Sequence, residues 1–332
     1  MRSLSLLVLT IALAGQMGCG KKSSNTDDNG SFTYTDSPAA AQESAMLGIE
    51  NAAASSEGST VTTWTQVHSL TKKISPNFTT DCSTLNFSAC SSGATSMTFG
   101  NCTMSDPGGA SVTFSGDISA TFAATSGGAP DNTACTSVVH SSGTLPSGDT
   151  LNLIYNMTAT FTSVPSVPAL NGMQVKQDFT PGTAWDGTTF PSASSGYVVS
   201  NAGGTRTVTF SGLHNEILAA SGSPYANWVT SGTATVTGSL AAGTRALANG
   251  TNVTTWHNVA QYKVVHTTGA DGSGHPVTWT SSSCCHPTEG KLTSVYTGSI
   301  TGTATLIFNS TCGSATLTDV HGNTSTVDLP SC

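Results

Sequence analysis

The most constraining feature of this sequence is an apolar–polar alternation with a period of two residues, which prevails from Val61 onward. In the run 150–161, TLNLIYNMTATF, every second residue from Leu151 to Phe161 is apolar, and the others are Asn or Thr, apart from Ile154. Successive side chains of a strand point to opposite faces, so this pattern predicts antiparallel strands with one buried and one solvated face. The same alternation occurs in 111–122 and 233–240.

Composition narrows the range of partners. Only 8% of the residues are charged, the formal net charge is −8, and Thr, Ser, Gly and Ala are abundant. The few Lys and Arg residues are scattered and form no basic stripe, so we expect no nucleic acid partner. Thr is β-branched and carries a hydroxyl group, which suits a pleated surface that is half exposed to water.

Nine cysteines are present, and Cys19 stands apart from the rest just after an apolar leader. An even number remains, which is typical of a disulfide framework in an exported protein. We expect pairing within two groups, and we expect one of Cys284 and Cys285 to pair with Cys312 and the other with Cys332. The disulfide candidates are Cys82, Cys90, Cys102, Cys135, Cys284, Cys285, Cys312 and Cys332.

Metal binding is the alternative use of the C-terminal cysteines. Cys284, Cys285 and His286, with Cys312, His321 and His275, carry the thiolate and imidazole groups that zinc prefers. The usual C-x-x-C spacing is absent, and an oxidising compartment favours disulfides. We therefore assign no metal ligand and no cofactor, and the missing C-x-x-C-H motif gives no support for haem.

The N-terminus predicts export. Residues 3–14 form an apolar run of 12 residues, which suits a signal peptide and is shorter than the roughly 20 residues of a membrane-spanning helix. Two cleavage sites compete. Ala12-Leu13-Ala14 would release a soluble chain, whereas Gln16-Met17-Gly18-Cys19 resembles the lipobox of bacterial lipoproteins, with an unusual Gln at its first position.

Cysteine parity favours the lipobox, because an unmodified Cys19 would leave one odd thiol in an oxidised protein. The lipobox resemblance implies that Cys19 is acylated, as by palmitate, and that this lipid is the contact with the membrane. The residue after Cys19 is Gly20 and not Asp, so we expect the outer membrane. Recovery in the inner-membrane fraction would refute that address.

The chain divides by composition into six segments. Residues 1–18 are the expected signal peptide, 19–36 the lipidated cysteine with a flexible tether, and 37–58 an amphipathic helix that Ser37 caps. We expect a first β region at 59–165 and a second at 206–332. A stretch rich in Pro, Gly and Ser connects them at 166–205.

The C-terminal run resembles uncharacterised bacterial envelope lipoproteins over about 50 residues. The shared pattern is C-x-P-x-x-G, a short strand pair, C-x-x-A and a Gly turn, and it falls on Cys285, Pro287, Gly290, Cys312, Ala315 and Gly322. The resemblance implies an exported all-β lipoprotein. It carries no activity, so no residue gains a catalytic role from it.

The Trp and His side chains are candidate binding residues. Asn249-Gly250 and Asp271-Gly272 predict the turns of a three-strand meander, in which Trp256 and Trp279 would be cross-strand partners. The Trp residues are interpreted mainly as core residues, and alternatively as platforms that stack on sugar rings. His257 and His266 lie nine positions apart on what reads as one strand, which predicts opposite faces.

The sequence therefore predicts an all-β fold of antiparallel, sandwich-like sheets stapled by disulfides, with one N-terminal amphipathic helix. The favoured function is a non-catalytic cell-envelope lipoprotein, structural or adhesive, that presents a Thr-rich β surface. One alternative is a module that binds a glycan or another envelope component. The other is an envelope hydrolase, which no sequence motif supports and which would need distant carboxylates to converge. Its candidate residues are Asp178, Asp186, Glu216 and Glu289.

Overall fold

The computed structural model describes residues 79–105, 109–124, 128–141, 145–165, 168–179, 181–190, 197–239, 243–280, 284 and 286–329. The expected signal peptide, the lipidated Cys19, the tether and the helix at 37–58 lie outside these residues, as do Cys285 and Cys332. Within the described residues, no helix is long and apolar enough to cross a membrane.

The described residues form one 16-stranded antiparallel sheet and one small two-stranded sheet. This confirms the expected all-β, antiparallel fold. The strands are β1 (Thr79–Phe87), β2 (Ala94–Ser105), β3 (Ser111–Ala124), β4 (Asp149–Ser163), β5 (Gln174–Asp178), β6 (Gly182–Thr183), β7 (Thr189–Phe190), β8 (Tyr197–Ala202), β9 (Thr205–Leu218), β10 (Pro224–Ser239), β11 (Thr244–Leu247), β12 (Asn252–His257), β13 (Tyr262–Gly269), β14 (Thr278–Trp279), β15 (Lys291–Gly298), β16 (Gly302–Phe308), β17 (Ser314–Thr318) and β18 (Thr324–Asp328).

Most strands pair with the strand that follows them in the chain, so the sheet is a long meander from β1 to β18. Two positions are shared by two short strands. β5 and β8 both lie between β4 and β9, at opposite ends, and β10 pairs first with β12 and then with β11. The stretch 166–205 thus contributes strands to the same sheet.

The sandwich-like core lies on the inner face of this sheet. Strand β4 shows the rule, since Leu151, Leu153 and Tyr155 are all buried as the alternation predicted. The largest core cluster joins residues from β2, such as Met97, with residues from β16, such as Leu306. The first and last parts of the meander therefore share one core.

One α-helix, α1 (Asn132–Ser141), and one 3₁₀ helix (Pro168–Leu170) occur in the described residues. The sequence analysis did not predict α1. Its first turn is capped by Asp131, whose Oδ1 accepts a hydrogen bond from the Ala134 amide at 2.7 Å. Ala134, Cys135, Val138 and Val139 are buried, so the helix covers one end of the core.

Three disulfides join cysteines of the described residues. They are Cys82–Cys102, Cys90–Cys135 and Cys284–Cys312, and each joins two members of one predicted group. The second bridge fastens α1 to the loop between β1 and β2. The third brings together two of the expected partners.

The segment 253–266 was predicted to be one strand, but the structure divides it into two. The chain reverses at residues 258–261, where Gln261 has a φ of 56°, and the hairpin β12–β13 results. The prediction that His257 and His266 lie on opposite faces was therefore wrong. Residues an odd number of positions apart lie on opposite faces only along an uninterrupted strand. Both side chains lie on the inner face, with 1% and 0% of their surface exposed.

Candidate functional site

The outer face of the sheet carries a continuous row of threonines. Directly opposed residues in antiparallel strands point to the same side, so the pairing registers show which side chains are neighbours. One row crosses eight adjacent strands, from β9 to β18, and contains one Asn and otherwise only Thr. Its members, which we call the threonine row, are Thr209, Thr233, Asn252, Thr267, Thr293, Thr305, Thr318 and Thr324.

Hydrogen bonds join several neighbours in the threonine row. The hydroxyl groups of Thr209 and Thr233 are 3.2 Å apart, and so are those of Thr318 and Thr324. Thr267 donates to Oδ1 of Asn252 at 2.6 Å. At the usual spacing of 4.7–4.9 Å between strands, the row is roughly 33 Å long. It is a neutral, hydrogen-bonding band that the protein's own contacts hold in order.

A groove of about 520 Å³ opens on the same outer face, at the position where β10 changes its partner from β12 to β11. Its walls come from β9 near Thr209, from β10 near Thr233, from the turn Ala248–Thr251 and from β12 near Thr254. None of the residues that line it is charged. Its volume falls within the 300–1,000 Å³ that ligand sites usually occupy.

The turn Ala248–Thr251 is fixed by the sheet beneath it. The Ala248 amide donates to the Thr235 carbonyl at 2.9 Å, and the Gly250 amide donates to the Thr268 carbonyl at 2.8 Å. The Thr268 hydroxyl donates to the Ala248 carbonyl at 2.8 Å. This wall of the groove is therefore held in place before any ligand arrives.

The four Trp residues in the described part of the chain are largely enclosed. Trp228 and Trp279 lie in the core, Trp256 is 9% exposed at one end of the groove, and Trp185 is half-buried. Trp256 packs edge-on against Phe190, with ring centroids 5.0 Å apart. These positions fit the interpretation of the Trp residues as packing residues.

Pairing of Trp256 with Trp279 was predicted wrongly. Trp256 on β12 lies opposite Val229 and Lys263. Trp279 lies on the short strand β14 and is opposite Arg245 of β11. The prediction failed because β14 leaves the meander and joins β11 instead of β13.

Carboxylates proposed for a hydrolase converge in part. Oδ1 of Asp178 lies 3.2 Å from Nδ1 of His214, and Nε2 of His214 lies 2.9 Å from the amide nitrogen of Asn227. That amide also reaches Oε1 of Glu216 at 3.4 Å. Asp178 and Glu216 therefore belong to one partly exposed network on the outer face. Nδ1 of His214 contacts Asp178 and its Nε2 contacts Asn227, and no Ser or Cys of the described residues is bonded to either nitrogen.

The other two candidate carboxylates lie elsewhere. Asp186 accepts hydrogen bonds from Trp256 Nε1 at 3.1 Å and from Lys263 Nζ at 3.3 Å. Burial acts to raise the pKa of Asp186, but the hydrogen bonds from Thr188, Trp256 and Lys263 outweigh it and lower that pKa. Glu289 lies opposite Thr278 beside β14. The structure thus joins Asp178 with Glu216 and not with the remaining pair.

Two members of the C-terminal cysteine cluster, Cys284 and Cys312, are joined by a disulfide. Because Cys284 and Cys312 form a disulfide, neither supplies the thiolate that the metal alternative needed. Among the described residues, no group of three or more His, Cys, Asp and Glu side chains is arranged to hold a metal ion.

Comparison with known proteins adds no relative. No family model matches this chain, and no curated protein or solved structure shows detectable similarity to it.

Proposed function

We propose that this chain is a non-catalytic lipoprotein of the bacterial cell envelope, structural or adhesive, which makes contact through its outer threonine face. The observation that carries the proposal is the threonine row across eight strands. A face of neutral hydroxyl groups offers many weak hydrogen bonds and little apolar area. Such a face suits repeated contacts with a hydrophilic surface, where many weak bonds add up to firm attachment.

The N-terminal sequence supports the proposed location at a membrane of the cell envelope. A lipid on Cys19 would hold the protein at a membrane, and the linker at 20–36 would separate the folded body from it. The disulfides between described cysteines fit an oxidising compartment. The C-terminal resemblance to uncharacterised envelope lipoproteins points the same way.

The adhesive role is tested by introducing positive charges into the threonine row. The triple variant Thr293→Lys, Thr305→Lys and Thr318→Lys places three ammonium groups on adjacent strands and replaces their hydroxyl groups. We expect wild-type protein to sediment with an insoluble neutral polysaccharide such as amorphous cellulose, and the variant to lose this several-fold. The control replaces the same residues with Ser, which keeps the hydroxyl groups. Equal sedimentation of the Lys variant, or no sedimentation of the wild type, contradicts the adhesive role.

The lipid anchor needs a separate measurement. The intact mass of the natively processed protein, with thiols alkylated before and after reduction, should show an acyl increment on Cys19 and no free thiol without reduction. The Cys19→Ser variant should lose the increment and appear in the soluble fraction. Cleavage after Ala14, or free thiols in the unreduced protein, contradicts the proposal of a lipid-anchored, oxidised envelope protein.

An envelope hydrolase is the second candidate, and the network that joins Asp178 and Glu216 is what favours it. It is the weaker candidate because His214 already contacts Asp178 and Asn227 through its two nitrogens. Hydrolysis of sacculi by the wild type and its loss in Glu216→Gln would establish the hydrolase in place of the non-catalytic role.

A further inference from the structure

We propose that the groove between β9, β10, β12 and the turn Ala248–Thr251 binds an extended, neutral polysaccharide chain that continues along the threonine row. The inference rests on the proposed function, since it names the partner of the same face. In this proposal the groove binds one section of the polysaccharide most tightly, and the threonine row binds the section that continues beyond the groove.

The lining of the groove selects for a neutral, hydroxyl-rich ligand. Its side chains are mostly hydroxyl and amide groups, with Phe210, Ala248 and Trp256 as the apolar members, and none of them is charged. A charged ligand would have to give up part of its hydration without meeting an opposite charge, which is unfavourable. An apolar peptide would find few apolar side chains there. A sugar chain offers donors and acceptors that match both kinds of group in the lining.

Several polar groups of the lining are available to a ligand. The side chains of Thr235, Asn249 and Thr254 make no hydrogen bond to other described residues, whereas the Ser231 hydroxyl accepts a bond from the Gly212 amide at 2.9 Å. The available groups come from β10, from the turn and from β12, so they approach the groove from different walls. This arrangement allows a ligand to be held from more than one side.

The groove is organised in advance. Backbone bonds from Ala248 and Gly250 fasten the turn to Thr235 and Thr268, as described above. Gly250 has a φ of 80°, and no atom lies within 4 Å of the point where a Cβ would be, so the rim is open to an approaching chain. A rigid wall lowers the entropy that binding must overcome.

The ligand is expected to be longer than the groove. Thr209, Thr233 and Asn252 line the groove and are also the first three members of the threonine row. A chain that leaves the groove toward β13 therefore meets Thr267 and then Thr293. Neighbouring strands twist by about 20–25° relative to each other, so the row follows a curved path. A flexible polymer can follow such a path better than a flat crystalline surface can.

Trp256 limits the affinity. It lies at one end of the groove with only 9% of its surface exposed, and its indole nitrogen is engaged by Asp186. It can offer an edge to a sugar ring and not a full stacking face. Hydrogen bonds must therefore dominate, so short oligosaccharides should bind weakly and longer ones more tightly.

The test measures binding of neutral oligosaccharides to the full processed protein by titration calorimetry and by Trp fluorescence. The probes are cellohexaose, maltohexaose and chitohexaose, with polygalacturonate as the charged comparison. We expect at least one neutral probe to bind without dependence on salt. The double variant Thr235→Ala/Asn249→Ala should bind about tenfold more weakly, because each net hydrogen bond contributes a factor of a few to affinity.

Two further variants keep the outcome interpretable. Thr254→Trp should fill the groove and abolish binding, whereas Thr316→Ala, on the same outer face but outside the groove, should bind like wild type. Circular dichroism and thiol counting establish that each variant is folded. Absence of binding by every neutral probe, unchanged binding in Thr254→Trp, or preference for polygalacturonate overturns the proposal.

Failure of this inference differs from failure of the proposed function. If groove variants lose nothing while the triple Lys variant no longer sediments with insoluble material, the groove proposal is wrong and the adhesive role stands. If oligosaccharides bind in the groove while the triple Lys variant sediments unchanged, the groove stands and the row has no adhesive role.

Discussion

The imidazole Nδ1 of His266 and the hydroxyl oxygen of Ser294 share a hydrogen bond of 2.8 Å inside the core, between β13 and β15. His266 is 0% exposed, and its Nε2 has no hydrogen-bond partner among the described residues. Burial, together with a smaller contribution from the nearby His257, lowers the pKa of His266 to about 3. The core thus holds this imidazole in its neutral form.

Acid should therefore destabilise the protein between about pH 6.5 and pH 3. In this window the unfolded chain binds a proton at His266 and the folded protein does not, so the free energy of unfolding falls as the pH falls. The slope from this group is about 1.4 kcal/mol per pH unit. Stability from this source is complete above pH 6.5. Urea unfolding at several pH values measures it.

Carboxylates contribute to acid denaturation as well, so the His266 share must be isolated. Hydrogen bonds lower the pKa of Asp271 and of Asp319, and both groups also lose stabilisation in acid. His266→Gln keeps a polar group near Ser294 but cannot titrate. Its unfolding free energy should depend less steeply on pH than that of the wild type, and parallel pH curves for the two proteins would disprove the prediction.

Adjacent residues of β16 should differ sharply in their contribution to stability. Leu306 is 3% exposed in the core, whereas Ile307 is 38% exposed on the outer face. Leu306→Ala should lower the free energy of unfolding by about 3 kcal/mol, and Ile307→Ala by less than about 1 kcal/mol. Chemical denaturation of the two variants compares them directly. A larger loss for Ile307→Ala would mean that the register of β16 is shifted by one residue, and equal losses would mean that neither side chain is buried in preference to the other.

The strand pattern was predictable where the alternation is long. In β4, the apolar positions from Leu151 to Phe161 are all buried, because a period of two allows only one of the two faces to enter the core. In the hairpin β12–β13 the prediction failed. The turn at 258–261 contains no Gly or Pro, and Asn258 alone is a weak signal of a reversal between two apolar runs.

The candidate site was only partly predictable. A Thr-rich β surface follows from composition, but the threonine row depends on the pairing register of eight strands, which Thr209 and Thr324 do not reveal from their positions in the chain. The groove arises where β10 exchanges one partner for another, and a short strand such as β11 carries no distinctive pattern. The threonine row and the groove both depend on pairing between strands that are distant in the sequence, and the local sequence does not specify that pairing.

Helix α1 shows a missed local signal, and its cap can be tested. Asp131 precedes the helix and accepts a hydrogen bond from the Ala134 amide at 2.7 Å. Asp131→Ala should lower the free energy of unfolding by about 1 kcal/mol, because an amide of the first turn loses its acceptor. Asp131→Asn keeps an acceptor and should lose less. Thermal unfolding of the two variants and the wild type measures the difference, and a melting temperature of Asp131→Ala equal to that of the wild type would show that the cap contributes nothing.

The Cys90–Cys135 disulfide should matter more than the other two described bridges. It closes the longest span, 45 residues against 20 for Cys82–Cys102 and 28 for Cys284–Cys312, and it ties α1 to the loop before β2. In the chain-entropy account, its removal lowers the free energy of unfolding by about 4 kcal/mol, against about 3 kcal/mol for the shortest span.

The matched experiment compares the double variants Cys90→Ala/Cys135→Ala and Cys82→Ala/Cys102→Ala. Unfolding by urea gives the two losses, and thiol counting in each variant shows that the remaining bridges have formed. A larger loss for the Cys90–Cys135 variant is expected. It would mean that oxidation secures the helix over the core, so a protein made in a reducing compartment would lack that stabilisation. A larger loss for the Cys82–Cys102 variant would show that native-state packing around β1 and β2 outweighs the length of the closed span.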